Sequence, residues 1–353
     1  MKKILFRTVL SFSILVLLVL LFSKLNKQEK FLELNPSISE TTNTLPLDRI
    51  WYKEPLKKVT LNQSLSDSLL NTMILKQFND TLYVVDYADM KIKRFTKNGH
   101  FVDNFGKNIG RGPEDFLQIL DFTISHNKLY AIDANTFLVK VLDLKKEQLF
   151  NSIKVETHIS RVITIKEKKI FLNVMSPDIF KVYGSKNSFS FSFGDITNGE
   201  ITNTLSFGGN LIPSKNQKEF IYVPRNASYL FFFNEEGKNV KTTRTIDRLE
   251  FPKSTQTSTG VKAPSHDIIA KSVTYDSSYN YIQYTRRPIE NHSNILFQDY
   301  HSFIDIYSRD GEQYFKTLML PERSEGVTVI GDTLYTINNS NRNIEAFLLP
   351  EIE

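Results

Sequence analysis

Asn79-Asp-Thr-Leu-Tyr-Val-Val-Asp86 reads as a polar turn running into a strand of alternating side chains. It returns as His126-Asn-Lys-Leu-Tyr-Ala-Ile-Asp133 and as Gly331-Asp-Thr-Leu-Tyr-Thr-Ile-Asn338, with a weaker copy at Glu167-Lys-Lys-Ile-Phe-Leu-Asn-Val174. A second apolar strand follows the three strong copies, at Lys91-Ile-Lys-Arg-Phe95, Val139-Lys-Val-Leu142 and Asn343-Ile-Glu-Ala-Phe347. Each copy is therefore a hairpin, and the chain is a series of repeats.

Two degenerate units are placed by their turns. Phe95-Thr-Lys-Asn-Gly99 matches Phe233-Asn-Glu-Glu-Gly237, which puts a unit at Phe220. Tyr281-Ile-Gln-Tyr284 pairs in pattern with Phe303-Ile-Asp-Ile-Tyr307, which runs into a similar turn, Ser308-Arg-Asp-Gly311, after a polar insertion. Anchors thus fall at Leu82, Leu129, Ile170, Phe220, Tyr281 and Leu334, and repeats of about 40 to 60 residues point to an all-β fold, a six-bladed β-propeller of four-stranded antiparallel blades. A sheet this small has two apolar faces and hides both only when its neighbours stack on either side and the ring closes, which also removes exposed edges. The first blade is expected at Leu70–Lys76, Thr81–Asp86, Met90–Thr96 and His100–Phe105. The last unit runs out of chain near Pro350 before its outer strand, and Leu56-Lys-Lys-Val-Thr-Leu61 alternates well enough to supply it.

The segment joining the first two units, Phe105-Gly-Lys-Asn-Ile-Gly-Arg-Gly-Pro-Glu-Asp-Phe116, resembles the linker of NHL-repeat propellers. There a Gly-rich run ends in Gly-Pro, two further residues and Phe; here Glu114 stands where that family usually has Gly, and Asp115 keeps the acid. Over residues 50–353 the chain is similar to six-bladed TolB-like propellers of exported bacterial type. It departs from the lipoproteins among them in having no cysteine.

Composition supports a folded chain: 353 residues, 41% hydrophobic and 12% aromatic. The absence of cysteine excludes disulfides, thiolate metal sites and cysteine nucleophiles. The net charge of +5 is concentrated in Lys2, Lys3, Arg7 and Lys24, so the body is nearly neutral, and no nucleic acid partner is expected. Residues 8–23, TVLSFSILVLLVLLFS, carry no charge and follow that basic leader, so residues 1–24 read as an export signal or membrane anchor. With Leu21 three residues before a cut after Ser23, cleavage is poorly specified and an uncleaved transmembrane helix is the expectation. The positive leader places everything after it outside the cytoplasm, periplasmic in a Gram-negative cell and secreted if the leader is cut. Residues 25–50 read as a polar tether and 51–353 as the propeller.

In such a ring, the loops joining second to third strands, and those joining one blade to the next, open on one face. That mouth gathers Tyr87 and Asp89, Asn135 and Thr136, Ser176 and Asp178, Arg225 and Asn226, Arg286 and Arg287, and Asn339 and Asn341, with Arg111 from the linker. Of these, Tyr87, Asp89, Arg111, Asn135, Arg225, Arg286, Arg287 and Asn339 are the candidate ligand contacts. The arginines suit carboxylates or phosphates, so a protein, peptide or glycan ligand is expected; solvated loops without a ligand remain the alternative. Asp86, Asp133 and Asn338 read as caps of the turns they precede rather than as ligands. No catalytic motif is present, the six histidines show no tight ligand spacing, and neither a metal nor a cofactor is expected. The rival reading is a metal-dependent hydrolase or lyase of the propeller lactonase type.

Overall fold

The computed structural model describes residues 32–352 except 44, 63–68, 147, 156–158, 175, 177, 199–206, 217, 253–254, 258–259, 263–267, 287–301 and 339. The expected membrane or signal helix within 1–24 lies outside the described residues, among which no helix is long and apolar enough to cross a membrane.

The short strand β1 (Lys58–Val59) precedes five complete antiparallel sheets. Blade 1 is β2 (Thr72–Phe78), β3 (Thr81–Asp86), β4 (Lys91–Thr96) and β5 (Phe101–Phe105). Blade 2 is β6 (Ile119–Ser125), β7 (Lys128–Asp133), β8 (Leu138–Asp143) and β9 (Gln148–Lys154). Blade 3 is β10 (Ile159–Ile165), β11 (Lys168–Asn173), β12 (Phe180–Tyr183) and β13 (Phe189–Phe193). Blade 4 is β14 (Gly209–Pro213), β15 (Glu219–Pro224), β16 (Tyr229–Asn234) and β17 (Asn239–Arg244), followed by a small hairpin of β18 (Thr255–Thr257) and β19 (Gly260–Lys262). Blade 5 is β20 (Ile268–Tyr275), β21 (Tyr279–Arg286), β22 (Ser302–Ser308) and β23 (Tyr314–Met319). The sixth sheet has the order β1, β26 (Asn343–Leu348), β25 (Thr333–Asn338) and β24 (Val327–Ile330), with Lys58 opposite Phe347 and Val59 opposite Ala346. The protein is a six-bladed β-propeller.

Alternation along each second strand explains the ring. Leu82 and Val84 of β3 pack with Ile337, Ile344 and Ala346 of blade 6, whereas Tyr83 and Val85 pack with Phe122, Leu129 and Ala131 of blade 2. The pattern continues, with one apolar cluster between each neighbouring pair of blades. The largest, between blades 3 and 4, is aromatic: the Phe180 ring lies 5.1 Å from Phe193, Phe220 and Phe233, mostly edge to face.

The first inner strand begins at Thr72, two residues later than its sequence pattern suggests. Leu70 and Asn71 donate their backbone N–H groups to the Asp86 carboxylate at 3.1 Å instead of pairing in the sheet. In the third unit the register moves by one residue: Ile165 pairs with Lys168 as Phe78 pairs with Thr81, so Lys169 rather than Ile170 occupies the place of Leu82. Lys169 passes for a core residue because its stem is buried while its ammonium reaches the carbonyls of Glu167 (3.0 Å) and Gly184 (3.3 Å).

The segment read as a tether makes specific contacts from residue 32 onward. Thr41 donates to the Thr242 carbonyl (2.7 Å) and Thr242 to that of Ser39 (3.0 Å), while Tyr52 and Thr317 are joined through Tyr52 N–H to Thr317 O and Thr317 N–H to Ile50 O, both 2.8 Å. These are parallel bridges to β17 and β23, the outer strands of blades 4 and 5, and they cover part of both edges.

Candidate functional site

All six inner strands face a central cavity of about 120 Å³, lined among others by Lys76, Phe122, Ile163, Ile212, Thr274 and Thr328. This is well below the several hundred Å³ of an ordinary small-molecule site. The channel therefore admits water, and a larger ligand has to sit at its mouth.

The mouth is shaped by a recurring irregularity near the start of the inner strands. The pairing of first with second strand shifts between Thr72 and Ile74, Ile119 and Asp121, Ile159 and Arg161, and Ala270 and Ser272. A bulge of this kind bends the strand and re-aims the side chains beside it. Asp121, Arg161 and Lys271 stand at these bulges.

On one side, Lys76 Nζ lies 2.7 Å from Asp121 Oδ1 and donates to the Phe122 carbonyl at 2.5 Å. Asp121 is buried, and its other oxygen accepts the Val162 N–H at 3.0 Å, so blades 1, 2 and 3 are tied by one carboxylate. About a third of the Lys76 side chain stays accessible, but to the enclosed channel rather than to bulk water. Desolvation lowers its pKa despite Asp121, and Arg161 lowers it further. Tyr87 reaches the same group: burial foremost pushes its phenol up to about 12, with Arg161 and Asp121 acting in opposite directions.

On the other side, Lys271 is bonded to Glu325 between blades 5 and 6, and Arg323 Nε lies 3.1 Å from the same carboxylate. Burial lowers the Lys271 pKa against the pull of Glu325, and the charges of Arg323 and Arg225 lower it further. Arg225 itself is exposed, with its backbone joined to Gly208 (2.7 Å) and Ala270 (3.0 Å) at the starts of neighbouring inner strands. Among the described residues, Lys76, Arg161, Arg225, Lys271 and Arg323 thus gather around Asp121 and Glu325 in two groups at the mouth.

Of the residues expected at the site from sequence, Tyr87 and Arg225 belong to these two groups. Asp89 turns to Lys93 at 3.2 Å, while Arg111 and Asn135 are exposed on the linker and the blade 2 loop. The Arg286 side chain, Arg287 and Asn339 lie outside the described residues. Lys76, Asp121, Arg161, Lys271 and Glu325 were not anticipated, since a mouth inferred from loops leaves out the inner strands. The signal of Lys76, Asp121, Arg161 and Lys271 is a charged residue interrupting the apolar run of a first strand, whereas Glu325 lies on the loop before β24.

Asp86 and Asn338 cap the turns that follow them, whereas Asp133 makes no hydrogen bond to its own following turn and holds the end of the preceding linker instead. Asp86, fully buried, accepts N–H groups of Leu70, Asn71 and Ala88 and an ion pair from Lys93 at 2.7 Å. Burial alone would raise its pKa, but Lys93 and those amides outweigh it and hold the carboxyl below its ordinary value. Asp133 accepts from Leu117 and Gln118, and Asn338 from Ser340. The linker is a folded loop around buried Lys140, which donates to the carbonyls of Gly112 and Asp115 and lies 5.0 Å from the Phe116 ring centre. Among the described residues, no three His, Asp or Glu side chains converge as a metal site.

No protein-family model and no curated protein matches this chain. Solved structures do. A Bacteroides fragilis protein assigned to the exported class superposes with a TM-score of 0.57 at 13% identity, covering 90% of this chain and 99% of its own. A DUF4221 family member from Bacteroides vulgatus gives 0.55 at 10% identity, covering 92% and 99%. The Cps50 (Swd1) β-propeller domain of Myceliophteria thermophila gives 0.52 at 9% identity, covering 84% and 100%. At these identities the shared property is the propeller fold.

Proposed function

We propose that this chain is an extracytoplasmic binding module, tethered to a membrane by its N-terminal apolar segment, that holds a carboxylate-bearing peptide or glycan at the mouth of the propeller. The observation that carries the reading is the gathering of cations there: among the described residues, five Lys and Arg side chains on inner strands and adjoining loops surround Asp121 and Glu325. Arg161 and Arg225 present the planar fork suited to carboxylates, and the narrow channel keeps the ligand at the surface. The basic leader with its apolar run supports the address, as does the exported class of the Bacteroides fragilis relative. The linker from Phe105 to Phe116 supports placing the ring with NHL- and TolB-like propellers. The rival reading, a metal-dependent hydrolase or lyase, needs a convergent ligand set, and no observation on the described residues favours it.

The test is binding of the full chain in detergent to acidic and neutral peptides and to uronic-acid and neutral oligosaccharides. Acidic members of one class bind, the affinity falls with salt, and Arg161→Gln with Arg225→Gln lowers it at least about tenfold without changing the melting temperature. Equal retention of neutral and acidic compounds, or affinity unchanged in the double variant, refutes the reading.

A further inference from the structure

On the opposite face of the ring, the turn between third and fourth strands of one blade leans on the preceding blade. In blade 4 this turn is Asn234-Glu-Glu-Gly237, and Glu235 reaches blade 3, pairing with Lys166 at 2.5 Å while its carbonyl accepts from Lys168 Nζ at 3.1 Å. The matching turn of blade 5 is Ser308-Arg-Asp-Gly311, and the residue equivalent to Glu235 is Arg309. The charge at this position is inverted, and a base stands where blade 4 has the acid of its ion pair.

Arg309 is 4% exposed. It donates to Asn280 Oδ1 in its own blade and to the Pro213 carbonyl of blade 4 at 2.6 Å, and its guanidinium lies 4.4 Å from the centre of the Tyr275 ring. Among the described residues no carboxylate stands within ion-pair distance of it. Burial depresses its pKa, with the charges of Tyr275 and Asp276 opposing, yet a guanidinium stays protonated in water-like pH ranges. A buried cation whose direct contacts are all neutral is costly, so an arriving anion gains more there than at a surface arginine.

Next to Arg309, between blades 4 and 5, lies a cavity of about 530 Å³, within the range of small-molecule sites. Phe232 and Val240 form an apolar wall, and Lys215 and Lys241 line the groove together with Asn216 and three serines. Glu219 and Asp310 also border it; Asp310 is engaged by the Ser308 hydroxyl and the Glu312 N–H, and Lys241 by Glu312. Glu219 and Asp310 offset Lys215 and Lys241, which leaves the Arg309 guanidinium as the one charge in excess along this lining, so a monoanion with an apolar body matches both the guanidinium and the wall better than a dianion such as phosphate.

We propose that this groove binds a small organic carboxylate, its carboxyl group on Arg309 and its apolar body against Phe232 and Val240. The site is separate from the mouth. The probes are phenylacetate, its uncharged amide, acetate and inorganic phosphate, titrated calorimetrically into the full chain in detergent. Phenylacetate binds saturably, at least about tenfold more tightly than acetate or phosphate, and the amide does not bind. Arg309→Gln lowers phenylacetate affinity at least about tenfold. Val240→Trp, a change at an exposed strand position that fills the groove and leaves Arg309 in place, abolishes binding even if the Arg309 variant folds poorly. Arg161→Gln at the mouth leaves phenylacetate binding unchanged, which separates this site from the one proposed above. The proposal is overturned if phenylacetate does not saturate, if amide or phosphate binds as well, or if Val240→Trp leaves binding intact.

Discussion

Lys58 Nζ lies 2.6 Å from Glu345 Oε1, and this pair joins β1 to β26, the first and last strands of the described residues. Lys58 is mostly exposed while Glu345 is buried, so the ion pair itself is worth little and Lys58→Ala should cost under about 1 kcal/mol. What matters is the segment that carries it. Val59 and Leu61 pack on the cluster between blades 6 and 1, Tyr52 and Leu56 on that between blades 5 and 6, and Lys57 accepts the Leu348 N–H at 2.9 Å. Deleting residues 1–61 opens the edge of β26 and uncovers both clusters. The melting temperature of the deletion should fall by at least about 10 °C relative to the full chain, as several kcal/mol do in a domain of this size; a fall of under about 3 °C would show that the ring closes without this strand.

A pH effect follows from the same segment. Arg49 reaches into the ring and lies 3.0 Å from Asp305 and 2.5 Å from Asp247, stacked 4.6 Å from the centre of Phe303. Asp305 is fully buried, and burial pushes its pKa up to about 6 although Arg49 and Thr317 favour the ionised form. Because the folded value lies above the ordinary 3.8, the native state holds the proton more tightly than the unfolded chain. This group therefore makes stability fall as pH rises through roughly 4 to 6, by about 3 kcal/mol as an order of magnitude. Urea unfolding of wild type and Asp305→Asn at several pH values should give a difference that varies across that window and is flat above it. A constant difference from pH 4 to 7 would remove the argument.

Asp121 ties three blades at the mouth with a single carboxylate. Asp121→Ala leaves Lys76 in the channel without its counter-charge and the Val162 N–H without an acceptor, and should cost about 3 to 5 kcal/mol. Adding Lys76→Met removes the stranded cation and should recover part of that loss, a coupling readable in a double-mutant cycle by urea denaturation. Strict additivity would mean that the two side chains do not act as a pair.

The ring was legible because its organising signal is local. Polar turn, apolar alternation and a strand-ending Asp or Asn recur in Asn79–Asp86, His126–Asp133 and Gly331–Asn338, and those segments form the second strands of their blades. The register of the third unit was misjudged because Lys169 fills an apolar place with its stem, which residue type alone conceals. The mouth was read only in part. Tyr87 and Arg225 sit on loops that topology identifies, whereas Asp121, Arg161 and Lys271 are marked in the sequence only as charges within apolar runs, and the bulges that aim them at the mouth appear only in the strand pairing. Arg309 looked like any turn residue, since its burial comes from the neighbouring blade and not from its own sequence.

Turn glycines give a last contrast. Gly237 and Gly331 both have positive φ, +87° and +60°, where a side chain is disfavoured by about 1 to 2 kcal/mol. Their surroundings differ. A β-carbon on Gly237 would stand 2.6 Å from the Phe193 ring of the preceding blade, whereas one on Gly331 would meet nothing within 4 Å. Phe193 is itself held between Phe180, Phe220 and Phe233 and has no room to retreat. Gly331→Ala should thus cost only the backbone term of about 1 to 2 kcal/mol, while Gly237→Ala adds overpacking of about 1 to 3 kcal/mol more. Chemical denaturation of the two variants side by side decides it: equal losses would show that the turn of blade 4 does not bear on the aromatic cluster behind it.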